Sequence, residues 1–351
     1  MALDERSHGD LLTIDNLTMS YRAQSFSLRR RLGAVQAVAD VSLSVGPGET
    51  VGLVGESGCG KSSLARTIVG LAQPSGGRIL FGDEDVVDVR SKATQRRLRR
   101  EIQIIFQDPY SSLNPRMTAF QLLEEVWRIH PEIIPRASWR AEAERLLVQV
   151  GLTPSDGFSY PRQFSGGQRQ RICIARALAA KPKLIICDEA VASIDVSLKA
   201  QIINLLRELQ RELDVSYLFI SHDLGVIRHL CDRVAVMYLG KLVEVGSTEA
   251  LFSSPAHPYT RALLSAAFML TDEEGKPVPQ IVLRGDVPSP ASPPSGCRFR
   301  TRCWLAEDQC AAEEPRLFDR GVGHPVACHL VEREKPAENR PHATRQQTEP
   351  A

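Results

Sequence analysis

The feature that most constrains this sequence is a glycine-rich loop that separates a short apolar run from a helical pattern. Residues Gly55-Glu-Ser-Gly-Cys-Gly-Lys61-Ser62 fit the pattern G-x-x-x-x-G-K-[ST], with a predicted strand at 50–54 before them and a predicted helix at 61–69 after them. Glycines let the backbone curve tightly, so that N–H groups converge on phosphate oxygens at a helix N-terminus. Lys61 can reach the β- and γ-phosphates, and the Ser62 hydroxyl suits Mg²⁺. A chance glycine-rich turn is the alternative, but it does not account for the strand–loop–helix context.

A pair of carboxylates marks the end of a second apolar run. Leu184-Ile-Ile-Cys187 predicts a buried strand, and Asp188 and Glu189 follow it directly. Ligands of open α/β sheets bind at the carboxyl ends of the strands, where both side chains would lie. Asp188 would hold Mg²⁺ directly or through water, and Glu189 would orient and polarise an attacking water. Taken alone, the pair is equally consistent with two solvated acids ahead of a helix.

A third motif again offers phosphate-binding groups at the start of a helix. Phe164-Ser165-Gly166-Gly167-Gln168 precedes a strongly helical pattern. Ser165, Gly166 and Gly167 present hydroxyl and backbone donors there, which suits a second phosphate contact. Apolar strand-like runs alternate with helical patterns from residue 11 to about 265, and this alternation predicts an α/β domain with a largely parallel core sheet.

The three motifs, in this order and spacing, resemble those of the ABC-type ATPases over residues 11–265. The resemblance implies their nucleotide-binding fold, with a mainly parallel core sheet, an N-terminal antiparallel β part and a helical insertion near 109–164. In this family each ATP lies between the P-loop of one cassette and the signature motif of another, here Ser165, Gly166, Gly167 and Gln168. Because the chain has one copy of each motif, we expect it to act with a second cassette subunit, homologous or identical.

The same resemblance assigns roles to single residues elsewhere in the chain. Gln107 matches the Q-loop glutamine, which contacts Mg²⁺ and couples to the transmembrane partner, and His222 matches the switch histidine at the γ-phosphate. Asp195 matches the D-loop aspartate at the dimer interface, and Tyr21 matches the aromatic residue that stacks on adenine. The alternative for His222 is a core histidine without a catalytic role, and the alternative for Tyr21 is an ordinary aromatic residue that does not contact adenine. The resemblance thus implies ATP contacts by Tyr21, Gly55, Ser57, Gly58, Cys59, Gly60, Lys61, Ser62 and Ser63, Mg²⁺ ligation by Ser62, Gln107 and Asp188, and catalysis by Glu189, His222 and Gln107.

Charge and hydropathy limit the kinds of partner and the membrane location that such an ATPase could have. The sequence has 43 basic and 42 acidic residues, a formal charge of +1, so no net field attracts nucleic acid. No apolar run reaches the roughly 18 residues of a membrane-spanning helix, so a membrane role would be peripheral. The expected organisation is a disordered N-terminus at 1–10, the ATPase domain at 11–265, a cysteine-rich extension at 266–332 and a disordered tail at 333–351.

Three further stretches resemble one group within the family. Asp108-Pro-Tyr-Ser-Ser-Leu-Asn-Pro-Arg-Met-Thr118, Ala256-His-Pro-Tyr-Thr-Arg-Ala-Leu-Leu264 and Gly285-Asp-Val-Pro-Ser-Pro290 are similar to the ATP-binding subunits of bacterial oligopeptide/dipeptide importers, of the second-ATPase-subunit type. This resemblance implies two transmembrane permease subunits, an extracytoplasmic substrate-binding protein that acts indirectly, and a place on the cytoplasmic face of the plasma membrane. Nickel complexes, opines or glutathione are alternative cargoes. A soluble ATPase acting on nucleic acid or ribosomes is a further alternative, which the near-neutral charge and the tail disfavour.

Four cysteines close to the C-terminus form a possible ligand set. Their spacing is Cys297-x5-Cys303-x6-Cys310-x17-Cys328, without the paired C-x-x-C knuckles that are usual for zinc. The resemblance to importers of this group implies a [4Fe–4S] cluster, which would fold a short tail that cannot build its own core. Structural zinc and ordinary thiols remain open as alternatives.

Overall fold

The structure is a computed structural model that describes residues 9–22, 34–192, 194–267 and 280–331. The disorder predicted for residues 1–10 and 333–351 falls almost entirely on residues outside these ranges. The strands are β1 (Leu12–Arg22), β2 (Ala34–Val45), β3 (Thr50–Val54), β4 (Gly76–Phe81), β5 (Glu84–Asp85), β6 (Ile102–Ile105), β7 (Leu184–Asp188), β8 (Ser216–Ile220), β9 (Arg233–Tyr238), β10 (Lys241–Ser247), β11 (Phe318–Asp319) and β12 (Pro325–Val326).

The helices fall between these strands, as an α/β alternation requires. They are α1 (Lys61–Ile68), α2 (Lys92–Glu101), α3 (Pro109–Ser112), α4 (Ala119–Ile129), α5 (Trp139–Gln149), α6 (Gly166–Ala179), α7 (Val196–Leu213), α8 (Leu224–Leu230), α9 (Thr248–Ser253), α10 (Pro258–Ala267) and α11 (Asp308–Ala312). Short 3-10 turns at Arg136–Ser138, Pro154–Phe158 and Pro161–Gln163 join the helices between β6 and β7. The division into domains stays a prediction.

Two sheets carry the fold. The larger one has eight strands in the order β11-β12-β10-β9-β3-β8-β7-β6, and its neighbours from β9 to β6 are parallel. The smaller sheet is antiparallel, in the order β2-β1-β4-β5. The mainly parallel core and the antiparallel N-terminal part agree with the predicted fold. Every residue of β3, β7 and β8 is buried, as expected for parallel strands covered on both faces.

Side chains alternate along the central strands between two hydrophobic cores. Tyr217 and Phe219 of β8 belong to the core that includes α4 and α6, whereas Leu218 and Ile220 belong to the core that includes α1 and the smaller sheet. Successive residues of a strand point to opposite faces, so one strand supplies both cores. This burial fixes the carboxyl edge of β3, β7 and β8, where the predicted site residues follow.

Residues 280–331, hereafter the C-terminal segment, are joined to the larger sheet. Val326 of β12 pairs with Glu244 of β10, and β11 pairs antiparallel with β12. The segment contributes Val326, Cys328 and Val331 to a small apolar cluster that also contains Ala256. It is therefore an addition to the cassette sheet, and its own core is small. Within the described ranges, no helix combines the length and the apolar character needed to cross a bilayer.

Candidate functional site: a nucleotide-binding and hydrolytic site

The glycine-rich loop connects β3 to α1 in a conformation that requires glycine at two positions. Gly55 has φ 154° and Gly60 has φ 113°. A Cβ atom on Gly55 would lie 2.1 Å from the carbonyl oxygen of Met237, and one on Gly60 would lie 2.1 Å from that of Ala37. Backbone atoms cannot move away as a flexible side chain can, so only glycine fits. The close approach holds the loop against its neighbours while leaving Ser57 and Gly58 exposed.

Lys61 lies within the curve of this loop. Its Nζ donates to the carbonyl oxygens of Gly55 at 2.8 Å and Glu56 at 3.0 Å, and the side chain is buried. The Sγ atom of Cys59 lies 3.7 Å from the same ammonium. Burial raises the pKa of the Cys59 thiol, and the charge of Lys61 only partly opposes this, so the thiol stays protonated at neutral pH. The loop therefore holds one buried cation where phosphates are predicted to bind.

Two oxygen ligands meet at the predicted magnesium position. The Ser62 hydroxyl, in the first turn of α1, donates to Oδ1 of Asp188 at the end of β7 over 2.9 Å. Burial raises the pKa of Asp188, and the Ser62 hydrogen bond acts in the opposite direction. Mg²⁺ bound to a nucleotide takes one or two protein oxygens together with phosphates and water. Ser62 and Asp188 therefore supply the small number of protein oxygens that a nucleotide-bound Mg²⁺ needs.

The three predicted catalytic residues come together at Glu189. The Gln107 amide donates from Nε2 to Oε2 of Glu189 over 2.8 Å, and Nδ1 of His222 lies 3.5 Å from Oε1. Glu189 has φ 51°, an unusual value for a non-glycine residue, and its N–H donates to the carbonyl of Ile220 at the end of β8 over 3.0 Å. Strained backbone of this kind is common at functional sites. The carboxylate is thus oriented by residues that follow β6, β7 and β8.

Tyr21 lies beside the start of α1, next to the phosphate-binding loop. Its hydroxyl donates to Oγ of Ser63 over 3.3 Å, and the side chain is 40% exposed. An exposed ring next to this loop is available for stacking, as the sequence predicts, although stacking itself stays a prediction.

The signature residues form the exposed N-terminus of α6. Oγ of Ser165 accepts the N–H of Gln168 at 3.3 Å, and Oε1 of Gln168 accepts the N–H of Ser165 at 3.0 Å. This reciprocal capping box leaves Ser165 and Gly166 at the surface, and Gly167 packs near Leu198 of α7. Asp195, which precedes α7, is likewise exposed. These motifs therefore face outward at their own helix starts.

Sequence reasoning missed residues that support these groups. Lys199 of α7 donates to Oδ2 of Asp223 over 2.7 Å, and Asp223 caps α8 directly after His222. At the loop, Glu56 accepts a hydrogen bond from Arg302 of the C-terminal segment over 2.7 Å. An acidic residue beside a motif histidine is a signal that could have indicated Asp223. No local pattern indicates Arg302, because 246 positions separate it from Glu56.

The four C-terminal cysteines line one small cavity together with His257 and Phe299. All eight cysteines of the chain are free. The predicted [4Fe–4S] cluster is nevertheless wrong, because the part of the chain that the structure describes contains no group of three or more Cys, His, Asp or Glu residues that could hold a metal ion. This finding also removes the zinc alternative. The predicted ligands were Cys297, Cys303, Cys310 and Cys328. Burial raises the pKa of Cys297 to about 12 and that of Cys303 to about 11, which disfavours the thiolates that metal ligation needs.

Comparison with known proteins agrees with this geometry. A family model described as ABC transporter matches residues 38–192, and one described as oligopeptide/dipeptide transporter, C-terminal region, matches residues 243–310. The oligopeptide transport ATP-binding protein AppF of Bacillus subtilis is 46% identical over 91% of this chain and 97% of that protein. A probable peptide ABC transporter ATP-binding protein, y4tS, of Sinorhizobium fredii is 48% identical over 91% of this chain and 90% of that protein.

Among solved structures, a dimeric ATP-binding cassette in a post-hydrolysis state, MJ0796 bound to ADP and Pi, is similar with a TM-score of 0.59 and 26% identity. The match covers 68% of this chain and 98% of that chain. The two chains therefore share the fold of an ATP-binding cassette. The chain therefore belongs to the ABC transporter family, as an ATP-binding cassette ATPase with the C-terminal region of oligopeptide and dipeptide transporters.

Proposed function

We propose that this chain hydrolyses ATP to drive the uptake of oligopeptides or dipeptides through a bacterial ABC importer. The observation that carries the hydrolytic part is the convergence of Gln107 and His222 on the carboxylate of Glu189, beside the Ser62–Asp188 pair. The peptide cargo is supported by the C-terminal family match and by relatives named as peptide transport ATP-binding proteins.

The proposed reaction uses groups that the fold has already positioned. The loop N–H groups and Lys61 bind the β- and γ-phosphates, and the Tyr21 ring contacts the adenine. Ser62, Asp188 and Gln107 would hold Mg²⁺, which supplies positive charge that offsets the charge of the phosphates when bound. Other proposed contacts to ATP come from the loop and the start of α1, namely from Gly55, Ser57, Gly58, Cys59, Gly60 and Ser63.

Glu189 performs the proton transfer in this proposal. It orients a water molecule in line with the γ-phosphate and accepts a proton as the new P–O bond forms and the bond to the β-phosphate oxygen breaks. His222 contacts the γ-phosphate, and Gln107 holds the carboxylate in place. ADP and inorganic phosphate then leave, and the proton on Glu189 passes to solvent.

The exposed signature motif indicates that the working unit contains a second cassette. Ser165, Gly166, Gly167 and Gln168 offer donors to an ATP held by a partner cassette, and Asp195 lies at the same interface in this proposal. The partner is a homologous or identical ATPase subunit, and the dimeric cassette with ADP and Pi supports this arrangement. Two transmembrane permease subunits would receive the motion, and a substrate-binding protein would deliver the peptide from outside. The chain would then lie peripherally on the cytoplasmic face of the plasma membrane.

Affinity purification from membranes tests the proposal. The tagged chain is purified from its host in mild detergent with ATP, and its partners are identified by mass spectrometry. We expect two multi-spanning proteins and a second cassette, together with an extracytoplasmic binding protein that carries bound peptide. Lys61→Ala serves as the matched control, because it weakens ATP binding and should reduce recovery of the second cassette. Ribosomal or DNA-binding partners without membrane proteins would contradict the transport function.

A further inference from the structure

The C-terminal segment contacts the phosphate-binding loop through a partly buried ion pair. Arg302 donates from Nη1 to Oε2 of Glu56, the second residue of the loop, over 2.7 Å. The Arg302 side chain is 9% exposed and that of Glu56 is 25% exposed. A charge-assisted hydrogen bond of this length, largely shielded from water, is stronger than a surface ion pair. The contact therefore fixes the loop as well as the segment.

A second arginine of the segment holds the other end of the loop through a turn. Arg298 donates to the carbonyl of Leu239, which forms with Gly240 the tight turn between β9 and β10. Both turn residues have positive φ, 43° and 83°. The N–H of Gly240 donates to the carbonyl of Cys59 over 2.8 Å. The segment thus contacts the loop directly at Glu56 and is linked to Cys59 indirectly, through the turn between β9 and β10.

Aromatic packing around Phe299 holds the chain segment that carries Arg298 and Arg302 next to the loop. Phe299 lies between them in the chain and is 1% exposed. Its ring contacts Tyr238 edge-to-face at 5.2 Å and Tyr259 at 5.3 Å. The hydroxyl of Tyr259 accepts the N–H of Glu56 over 2.8 Å. The side chain and the backbone of Glu56 are therefore both fixed from the side on which the C-terminal segment packs.

The backbone of Glu56 is one of the groups that hold Lys61 in place. The carbonyl of Glu56 accepts a hydrogen bond from Nζ of Lys61 over 3.0 Å, and the carbonyl of Gly55 accepts another over 2.8 Å. We propose that Arg302 is a positioning residue for ATP binding, which acts through Glu56 on the phosphate-binding loop, so that the C-terminal segment sets the nucleotide affinity of the cassette. The inference rests on the proposed ATP site and adds a role for a part of the chain outside it.

Electrostatics predicts in which direction the loss of Arg302 changes the affinity for ATP. Glu56 places a carboxylate on the loop that binds the anionic phosphates of ATP, and Arg302 neutralises it. Without the guanidinium, the carboxylate would repel the phosphates and would leave the loop with one fewer fixed residue. Loss of Arg302 should therefore weaken ATP binding, and removal of the Glu56 charge in the same chain should restore part of it. A purely structural role predicts no such rescue.

Equilibrium binding of a fluorescent ATP analogue to the full-length chain, with Mg²⁺, tests the inference. We expect Arg302→Gln to raise Kd by about five- to tenfold, at the low end of coupling between two sites. Arg302→Lys keeps the positive charge and should give a Kd between those of the wild type and Arg302→Gln. This variant tests the inference if Arg302→Gln does not fold. The double variant Glu56→Gln, Arg302→Gln should bind within about twofold of Glu56→Gln alone.

Arg300→Gln is the matched control, because Arg300 hydrogen-bonds Ser295 within the C-terminal segment, over 2.8 Å to its carbonyl. We expect its Kd to equal that of the wild type. The inference is overturned if Arg302→Gln leaves Kd unchanged, if it lowers only the melting temperature, or if the double variant binds much more weakly than either single variant. Failure of the wild-type chain itself to bind the nucleotide would instead contradict the ATP-binding function.

Discussion

The proposed ATP site and the C-terminal segment are specified by the sequence in different ways. The site residues follow directly after buried strands or begin helices, so that the main chain delivers Lys61, Asp188 and Glu189 to one edge of the sheet. The C-terminal segment has only short strands, and buried polar contacts and aromatic packing hold it to the cassette. Local sequence motifs therefore describe the first region well, and they describe the second poorly.

The two regions also differ in what their most conspicuous residues do. In the proposed ATP site, motif residues that are distant in the sequence lie within contact distance, as in the pairs Ser62–Asp188, Gln107–Glu189 and His222–Glu189. In the C-terminal segment, the cysteines are conspicuous, yet arginines and a histidine make the contacts to the cassette. The four predictions that follow test this contrast, beginning with the largest expected effect.

Glu189→Gln should remove hydrolysis and leave nucleotide binding intact. The amide keeps the size of the side chain but cannot accept a proton, and general-base catalysis contributes about 10² to 10⁴ in rate. We expect phosphate release to fall by at least about 100-fold, with Kd for ATP within about threefold of wild type. Glu208→Gln, an exposed position on α7, is the control and should hydrolyse ATP normally. Normal turnover in Glu189→Gln would exclude Glu189 as the base.

Glu244→Ala should cause the largest loss of stability in the C-terminal segment. Glu244 is fully buried and accepts hydrogen bonds from the N–H groups of Ala256 at 2.7 Å and His257 at 3.1 Å, and it lies 2.7 Å from Nε2 of His324. Removing one partner of a buried pair leaves the others unsatisfied and costs about 3–5 kcal/mol. Urea unfolding measures this cost.

Exposed Glu249 on α9 provides the control for that variant. Glu249→Ala should change the free energy of unfolding by less than about 0.5 kcal/mol. Hydrogen exchange at residues 318–326 should accelerate in Glu244→Ala and stay unchanged in Glu249→Ala. Equal stability of the two variants would show that the C-terminal segment does not depend on the buried carboxylate.

The stability of this contact should also depend on pH, with a definite sign. The hydrogen bond to Glu244 raises the pKa of His324 against the effect of burial, and Asp319 adds to the increase. A raised folded pKa gives stability that is complete below the unfolded value of about 6.5 and is lost as the pH rises through the folded value. We expect the free energy of unfolding to decrease by about 1.5–3 kcal/mol across that window, the scale of a hydrogen bond to a charged group.

Two neighbouring groups titrate outside this window. Burial lowers the pKa of His257 to about 4, and Glu244 has a lowered pKa, so both keep one charge state above pH 6. Buried thiols with raised pKa values also lower stability above about pH 8. The difference in unfolding free energy between the wild type and His324→Gln, measured from about pH 6 to about pH 9, therefore reports on His324. His324→Gln should flatten the dependence, and a wild-type profile without a decrease would contradict the assignment.

Much of the fold and the ATP site could be predicted from the sequence, for identifiable physical reasons. Continuous apolar runs identified β3 and β7, because strands buried on both faces are largely apolar. Glycine and lysine spacing identified the loop, because glycines permit the tight backbone curvature that directs N–H groups toward a phosphate at a helix N-terminus. The roles of Gln107 and His222 were implied by family resemblance, whereas their contacts with the carboxylate of Glu189 were found only in the structure.

The rest could not be predicted, because it depends on contacts between distant parts of the chain. Arg302 meets Glu56, and His324 meets Glu244, only because β12 pairs with β10 and carries the C-terminal segment across the cassette. The cysteine spacing led to the wrong prediction of a [4Fe–4S] cluster for a related reason. Spacing along a chain does not specify how the side chains approach one another, nor how strongly burial opposes the thiolate form.

Cys303→Ala should have the smallest effect and most sharply tests the contrast between the two regions. Cys303 is partly buried beside the larger hydrophobic core, so losing its sulfur should cost about 1 kcal/mol or less. Because Cys303 lies outside the proposed ATP site, we expect ATP turnover within about twofold of wild type, unlike the Kd change in Arg302→Gln. Protein purified without oxygen should contain no stoichiometric iron, zinc or sulfide. Metal that is present in the wild type and lost in Cys303→Ala would mean that the thiols, and not only the arginines and His324, hold this segment to the cassette.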